Sequence, residues 1–168
     1  MCIRDRYPIT NPLFDKLIDD TSKSTKITKT KCDILFLEGW CCGSFEIPKK
    51  FLYKNINNLE KIKDPKYQWR NFYNNKLKLE YKKLFQLFDE LIFLKSSSFD
   101  NVFKWRLKQE KTNQSKNKKS KRMTQNEIKI FIQHYEKITK WMLKDLNKKA
   151  QIVIKFEKNH KISSVNFN

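Results

Sequence analysis

The chain has 168 residues and a formal net charge of +19, with 37 Lys and Arg against 18 Asp and Glu. A chain of this length buries roughly two thirds of its unfolded surface, and its 13 Phe, 4 Trp and 6 Tyr supply large core side chains. It contains no run of about 18 apolar residues, and its first segment, MCIRDRYPITNP, has no apolar stretch of a secretory signal. We therefore expect a cytoplasmic protein without a membrane span.

The positive charge suggests a polyanion partner, but its distribution argues against nucleic acid. Only five of the 37 basic residues are Arg, the side chain that grips phosphates and bases in bidentate fashion, and the Lys residues are spread over the whole chain. A non-catalytic basic module that binds nucleic acid or another polyanion stays open as an alternative. Its most basic stretch is Lys116–Arg122.

The four cysteines, Cys2, Cys32, Cys41 and Cys42, have neither C-x-x-C spacing nor a partnering His nearby. This pattern argues against a structural zinc site and against Cys–His nucleophilic catalysis. We expect reduced thiols that pack as small apolar groups.

The first half of the chain predicts few regular elements. Residues 1–13 are irregular and do not resemble a natural translation start, and residues 1–30 predict a loop with one short helix near Asn11–Ile18. Ile34–Leu37 is a continuous apolar run, the pattern of a strand buried on both faces. Residues 69–88 place their apolar side chains at helical spacing, with Trp69 expected in the core.

The second half alternates strands with helices. Glu90–Lys95 and Ala150–Phe156 read as buried strands, and Ser98 precedes a helix predicted over Phe99–Glu110. Residues 111–122 contain no apolar side chain and predict a mobile loop. Thr124 and Glu127 form a capping box before a helix of about 20 residues. The order predicts an α/β fold with a mostly parallel sheet.

Glu38 and Gly39 follow the first apolar run directly. In open α/β sheets, ligands bind at the carboxyl ends of the strands, where Gly39 would let the chain turn sharply. A carboxylate at such an end can bind Mg²⁺, directly or through water, or accept a proton from an attacking hydroxyl. A strand that simply ends at a polar residue and a turn would have the same pattern.

Several segments in chain order resemble the D-glycerate 3-kinase-like group of P-loop kinases, relatives of uridine kinase and phosphoribulokinase. They are FDKLIDD, DILFLEGWCCG, DPKYQWRNFYNNKL, LEYKKLFQLFDELIFLK, SFDNVFKWRLKQE and MTQNEIKIFIQHYEKITKWM. The combination of EGW, WR…N, WR..QE and YEKIT is more specific than any one of these motifs. The resemblance runs from about Phe14 to Phe156 and implies a three-layer P-loop NTPase-like fold.

The resemblance also implies roles for individual residues in a kinase that uses ATP and Mg²⁺ to phosphorylate a hydroxyl of a small, D-glycerate-like acid. Glu38 would be the metal-organising acid and, with Asp15, a catalytic residue. Substrate-binding residues would be Lys16, Arg70 and Asn74. Arg106, Gln109 and Lys137 would serve the phosphates and the lid, whose tip would be the basic loop 111–122. Lys137 replaces an Arg of the group's pattern, and the Thr21–Thr25 region lacks an Arg common in the group. A nucleoside or pantothenate-type acceptor stays open.

One essential motif of such kinases is absent from these residues. The chain has only two glycines, Gly39 and Gly43, so it contains no G-x-x-x-x-G-K-[ST] loop to cradle phosphates. The expectation is an N-terminally truncated kinase, a single partial domain over residues 14–168 whose sheet is incomplete because the P-loop strand is missing. We expect the isolated chain to have low stability, to aggregate and to bind no Mg-ATP measurably.

Overall fold

The computed structural model describes residues 8–15, 20–29, 33–116 and 123–168. The chain forms two compact units, Met1–Gly39 and Trp40–Asn168. The division follows Gly39, whereas the sequence placed a boundary after residue 13. That residues 14–168 fold as a single partial domain stays a prediction.

The first unit contains an antiparallel hairpin. Strand β1 spans Ile9–Asp15 and strand β2 spans Asp20–Thr28, with a shift in register between Pro12 and Phe14. The predicted loop over residues 1–30 and the short helix at 11–18 are therefore wrong for the described residues. The β-branched side chains of Thr21, Thr25, Ile27 and Thr28 in β2 favour extended backbone, and a proline is tolerated in a two-stranded ribbon at an irregularity.

The apolar run Ile34–Leu37 is not a strand. Its side chains are 57–78% exposed, and no strand among the described residues pairs with it. The prediction of a strand buried on both faces is thus wrong. An apolar run becomes a buried strand only when neighbouring strands satisfy its backbone groups on both sides, and sequence alone does not supply those neighbours.

The second unit begins with a set of short helices. Helix α1 spans Lys49–Leu52, α2 Asn58–Lys63 and α3 Gln68–Lys76; a π-helical segment, Leu77–Tyr81, then leads into α4, Lys82–Phe85. The helix predicted over residues 69–88 is confirmed as far as Phe85, with the π-helical segment interrupting it. Trp69, however, is 55% exposed on this helix and does not belong to the core.

Two long helices follow the first strand of the sheet. Strand β3 spans Ile92–Ser96, helix α5 Phe99–Lys116 and helix α6 Gln125–Asp145. Residues 111–116 thus continue α5, so the predicted loop 111–122 is wrong for its first half, and residues 117–122 lie outside the described residues. The helix is able to continue because these residues include neither Gly nor Pro, the two residues that disfavour helix most strongly.

The capping box is confirmed at the start of α6. Thr124 Oγ1 accepts from the backbone N–H of Glu127, and the Glu127 carboxylate accepts from the backbone N–H of Thr124. These two bonds satisfy donors that the first turn of a helix would otherwise leave unpaired.

Strands β4, Ile152–Phe156, and β5, Ile162–Phe167, complete a sheet of order β3-β4-β5. Strand β4 pairs in parallel with β3 and antiparallel with β5. The α/β class is confirmed. The described sheet is mixed and not mostly parallel, because β5 pairs antiparallel with β4. Sequence reasoning missed this β4–β5 hairpin.

The core lies where the end of α6 packs on this sheet. Its buried apolar residues are Phe93, Met142, Leu146, Ala150 and Val153. Within the ranges that the structure describes, no helix is both long enough and apolar enough to cross a bilayer.

Gly43, rather than Gly39, adopts a left-handed conformation in the turn before α1, with φ of 77°. A Cβ atom at this position would lie 2.6 Å from Leu91 Cδ1. Glycine is therefore required here both by the backbone angle and by the close approach of Leu91.

Candidate active site

A cavity of about 430 Å³ lies at the carboxyl end of β3, within the second unit. Helix α5 and helix α6 supply most of its wall, and the β4–β5 turn adds one residue. The apolar and aromatic lining residues are Trp40, Phe93, Leu94, Val102, Trp105, Met142 and Leu143; the polar ones are Ser96, Arg106, Gln109, Thr139 and His160. A largely apolar pocket with a few convergent polar groups is typical of a small-molecule site.

Arg106 and Gln109 are the two sequence-predicted site residues that this cavity brings together. Arg106 Nη1 donates to Gln109 Oε1 at 2.7 Å, and Arg106 Nη2 forms an ion pair with Glu110 Oε1 at 2.5 Å. The three residues lie on one side of α5, because residues three and four apart are neighbours on a helix surface. The guanidinium also lies 5.6 Å from the centre of the Phe131 ring, so its orientation is fixed by several partners.

Trp105 and His160 form a stacked aromatic pair in the cavity wall. Their ring centroids are 4.4 Å apart, and Trp105 Nε1 donates to the backbone carbonyl of Lys158 at 3.1 Å. His160 has φ of 66° in the turn between β4 and β5, a conformation that costs energy for a residue with a side chain. The stack fixes this turn against α5, and sequence reasoning gave no signal for it because the β4–β5 hairpin was not predicted.

Arg70 and Lys137 are also brought together, but in a buried charge cluster and not in the cavity. Arg70 Nε donates to Asp64 at 2.9 Å, and Lys137 Nζ lies 3.2 Å from Glu60 Oε2, which is also 3.6 Å from Arg70 Nη1. Two cations thus face two carboxylates, the arrangement under which buried charges are tolerated.

The two cations also bind the backbone where the short helices end. Lys137 donates to the carbonyls of Phe51 and Lys54, while Arg70 donates to those of Leu52, Glu60 and Asp64. Carbonyls at a helix carboxyl end have no partner within the helix, so these bonds satisfy them. The cluster holds α1, α2, α3 and α6 together.

The pKa values of the cluster reflect this geometry. Burial lowers the pKa of Lys137, and the charge of Glu60 together with its hydrogen bond opposes that shift. Burial acts to raise the pKa of Asp64, but hydrogen bonds from the Arg70 side chain and from the backbone N–H groups of Trp69 and Arg70 outweigh it. The pKa of Asp64 is lowered as a result.

Asn74 binds the backbone of Ile47 through both atoms of its amide. Its Oδ1 accepts from Ile47 N–H at 2.7 Å, and its Nδ2 donates to Ile47 O at 3.0 Å. Asn74 thereby fixes the segment before α1 to α3. For Asn74, Arg70 and Lys137, a direct contact with substrate or phosphate stays a prediction.

The remaining predicted residues belong to the first unit. Glu38 is exposed, whereas the side chain of Asp15 and all of Lys16 lie outside the described residues. In the part of the chain that the structure describes, no three His, Cys, Asp or Glu side chains form a metal-binding group. A single exposed carboxylate fits Mg²⁺ as one ligand, because Mg²⁺ commonly combines one or two carboxylates with water and substrate phosphates.

Thr139 is a cavity residue that sequence reasoning missed. It lies in YEKIT, two residues after Lys137, and is 8% exposed. Among the described residues, its Oγ1 has no hydrogen-bond partner. In the motif YEKIT, the sequence analysis assigned a role to Lys137 and none to Thr139. Residues two apart point to different sides of a helix, so helical periodicity could have indicated that Thr139 faces a different surface from Lys137.

The fold has known structural counterparts. D-glycerate 3-kinase from Cryptococcus neoformans var. grubii matches with a TM-score of 0.72 and 21% sequence identity, over 95% of this chain and 60% of that chain. The YGR205w protein matches with a TM-score of 0.62 and 20% identity, over 95% of this chain and 57% of that one. No protein-family model and no curated protein sequence matches.

The chain thus spans less than two thirds of the length of these two structures. Sequence identity near one fifth supports a conclusion about architecture alone. The resemblance indicated by the motifs is confirmed at the level of the fold: the chain is a mixed α/β protein with the kinase-like fold of D-glycerate 3-kinase.

Proposed function

We propose that the chain is part of an ATP-dependent kinase that phosphorylates a hydroxyl group of a small acid similar to D-glycerate. The observation that carries the proposal is the cavity at the carboxyl end of β3, with Arg106 and Gln109 in its wall, in a chain with a kinase-like fold. Phosphoryl transfer depends mainly on positioning and on neutralising charge, for which a guanidinium held by neighbours on its own helix is suited.

Arg106 and Gln109 would contact the phosphates, and Glu38 would supply a carboxylate ligand for Mg²⁺. Asp15 and Lys16 would face the acceptor, as the FDK segment implies. Magnesium, when bound with ATP, would neutralise charge on the transferred phosphoryl group. Arg70, Asn74 and Lys137 would act on substrate through the segments they fix, or by direct contact as the motifs imply.

The proposal requires a phosphate-binding loop from outside these 168 residues, because they contain no G-x-x-x-x-G-K-[ST]. The first experiment is to read the genomic frame upstream of Met1. We expect an apolar strand followed by that motif. Its absence would favour the alternative of a basic module, for which binding to DNA should fall steeply with salt concentration.

The second experiment assays the protein that carries this loop with a panel of small hydroxy acids, nucleosides and pantothenate. We expect ATP-dependent phosphorylation of a hydroxy acid, and a loss of turnover by orders of magnitude in Glu38→Gln and in Arg106→Ala. Glu80→Gln is the matched control, since Glu80 forms an exposed pair with Lys76 outside the cavity. Near-normal turnover in both test variants would reject the assigned roles, and a nucleoside acceptor would correct the substrate class.

A further inference from the structure

One face of the β3-β4-β5 sheet carries two rows of apolar side chains. Successive residues of a strand point to opposite faces, so the strand register assigns each row to a face. The two rows are Ile92–Ile152–Phe167 and Leu94–Ile154–Val165, and Phe156 extends the surface along β4. We call these seven residues the open face; none of them is charged.

The two faces of the sheet differ in burial. Phe93 and Val153, on the opposite face, are 7% and 1% exposed and pack with the end of α6. On the open face, the side chains of the two outer strands are 41–78% exposed. Those of the central strand β4 are only half-buried, although neighbouring strands flank them on both sides. Within the part of the chain that the structure describes, no element therefore covers the open face.

Such a surface indicates an interface. Strands β3 and β4 are parallel neighbours, and parallel strands with continuous apolar runs normally have both faces covered. A contiguous exposed apolar patch on a water-soluble protein marks a site of interaction. The open face thus requires a partner with an apolar surface of its own.

The dimensions and charge of the chain indicate the kind of partner. Three strands spaced about 4.8 Å apart make a face about 10 Å wide, which matches the diameter of one α-helix. A second copy of the chain would instead bring together two molecules that each carry a net charge of +19, and this repulsion opposes association. An amphipathic helix, with one apolar side and one polar side, fits the open face.

We propose that the open face binds an amphipathic helix of the same polypeptide, supplied by further sequence upstream of Met1. The matches to D-glycerate 3-kinase and to YGR205w span 95% of this chain but only 60% and 57% of those longer chains, so both have additional sequence that could cover such a face. The inference rests on one element of the proposed function, the presence of upstream sequence, and its test requires no kinase activity.

The test measures the rate at which a maleimide labels single introduced cysteines in the longer protein, with peptide mass spectrometry to separate them from the native thiols. Val165→Cys, on the open face, should react at least about tenfold more slowly than Asn166→Cys. Asn166 is the matched control because it is the next residue of β5, is exposed and points to the opposite face. In urea both should react equally fast.

The same variants in the 168-residue chain separate an upstream helix from a second copy. Here Val165→Cys should react as fast as Asn166→Cys, and sedimentation velocity should show a monomer. Val153→Cys reports whether this chain is folded, since a side chain that is 1% exposed should stay protected. A dimer in which Val165→Cys is protected would identify a second copy as the partner and overturn the proposal.

A charge substitution gives an independent measurement. Val165→Lys should leave the melting temperature of the 168-residue chain unchanged but lower that of the longer protein by about 4 °C or more, because a helix would bury the ammonium group. Equal effects in the two proteins would contradict the proposal. So would rapid labelling of Val165→Cys in the longer protein, or an upstream frame that encodes no amphipathic helix.

The outcomes for this inference and for the proposed function are distinguishable. A longer protein that protects Val165→Cys but phosphorylates no small hydroxy acid would reject the proposed function alone. An active kinase in which Val165→Cys reacts rapidly would reject the covered face alone.

Discussion

Replacement of Glu60 by Gln is the most informative perturbation of the buried charge cluster. Glu60 Oε2 accepts from the backbone N–H of Ile56 at 3.0 Å and lies 3.2 Å from Lys137 Nζ and 3.6 Å from Arg70 Nη1. The side chains of Glu60, Lys137 and Arg70 are only 8%, 6% and 1% exposed. The Glu60→Gln substitution would keep the size of the side chain and an acceptor for Ile56 but would remove the negative charge.

The expected loss of stability follows from the charge that remains. At an effective dielectric constant of about 20, a pair 3.2 Å apart gains about 5 kcal/mol before desolvation is counted. Without Glu60, Asp64 remains bound to Arg70, while Lys137 loses its ion-pair partner and keeps only the weaker influence of the Glu136 charge. Breaking a buried pair by removing one partner costs about 3–5 kcal/mol, and we expect Glu60→Gln to lower the free energy of unfolding by that amount.

The assay is urea denaturation followed by circular dichroism, with Glu80→Gln as the control. Glu80 pairs with Lys76 on an exposed helix surface, where such pairs contribute about 0–1 kcal/mol. Both substitutions remove one carboxylate charge that is paired with a lysine. A larger loss of unfolding free energy in Glu60→Gln than in Glu80→Gln therefore measures the effect of burying the pair.

A double-mutant cycle identifies the partner. Lys137→Met should be strongly destabilising alone, but the double variant Glu60→Gln, Lys137→Met should lose less than the sum of the single losses, because no uncompensated ammonium remains. A loss of less than about 1 kcal/mol in Glu60→Gln, or additive losses in the double variant, would refute this account of the cluster.

Three smaller perturbations test local features. Gly43→Ala should lower stability by about 1–2 kcal/mol in thermal melts because of its positive φ and its contact with Leu91; an unchanged melting temperature would contradict this. Thr124→Ala should cost about 1 kcal/mol in urea through loss of the capping box, and a neutral result would mean that Glu127 caps the helix alone. The folded pKa of Asp64 is lowered below its usual 3.8, so the unfolded state takes up a proton first as pH falls, and the stability from this group is present above pH 3.8 and lost below it. Asp64→Asn should accordingly be less stable than wild type at neutral pH, with a difference that shrinks in acid; parallel stability curves below pH 3.8 would contradict the shift.

Local sequence signals predicted the helical segment from α3 to α4, helices α5 and α6 and strands β3 and β4 of the second unit, but not the short helices α1 and α2. The capping box and apolar spacing of α6 gave its start and its length, because a cap and a 3.6-residue period act within a few turns of one helix. The runs that became β3 and β4 were recognisable because they carry short continuous apolar sequences. The expectation that β3 is buried is only half right, since Phe93 is 7% exposed whereas Ile92 and Leu94 are 41% and 57% exposed.

The strand predicted at Ile34–Leu37 is wrong, whereas the strands predicted at β3 and β4 are present, and the difference lies in the partner strands. All three runs have similar composition, but only β3 and β4 have a partner strand within the described residues. The β1–β2 hairpin was missed, because its polar residues show no pattern of burial. Each of its strands depends on a partner across the turn, which the local sequence does not reveal.

For the candidate site, the sequence determined which residue types are present and which helix carries them. It placed Arg106 and Gln109 three positions apart on α5, which was enough to bring them together. Only the tertiary structure decided that Lys137 and Arg70 share a buried cluster with Glu60, while Thr139 lines the cavity. The physical reason is that spacing along a helix fixes neighbours on that helix, whereas burial and ion pairing depend on elements that are distant in sequence and close in space.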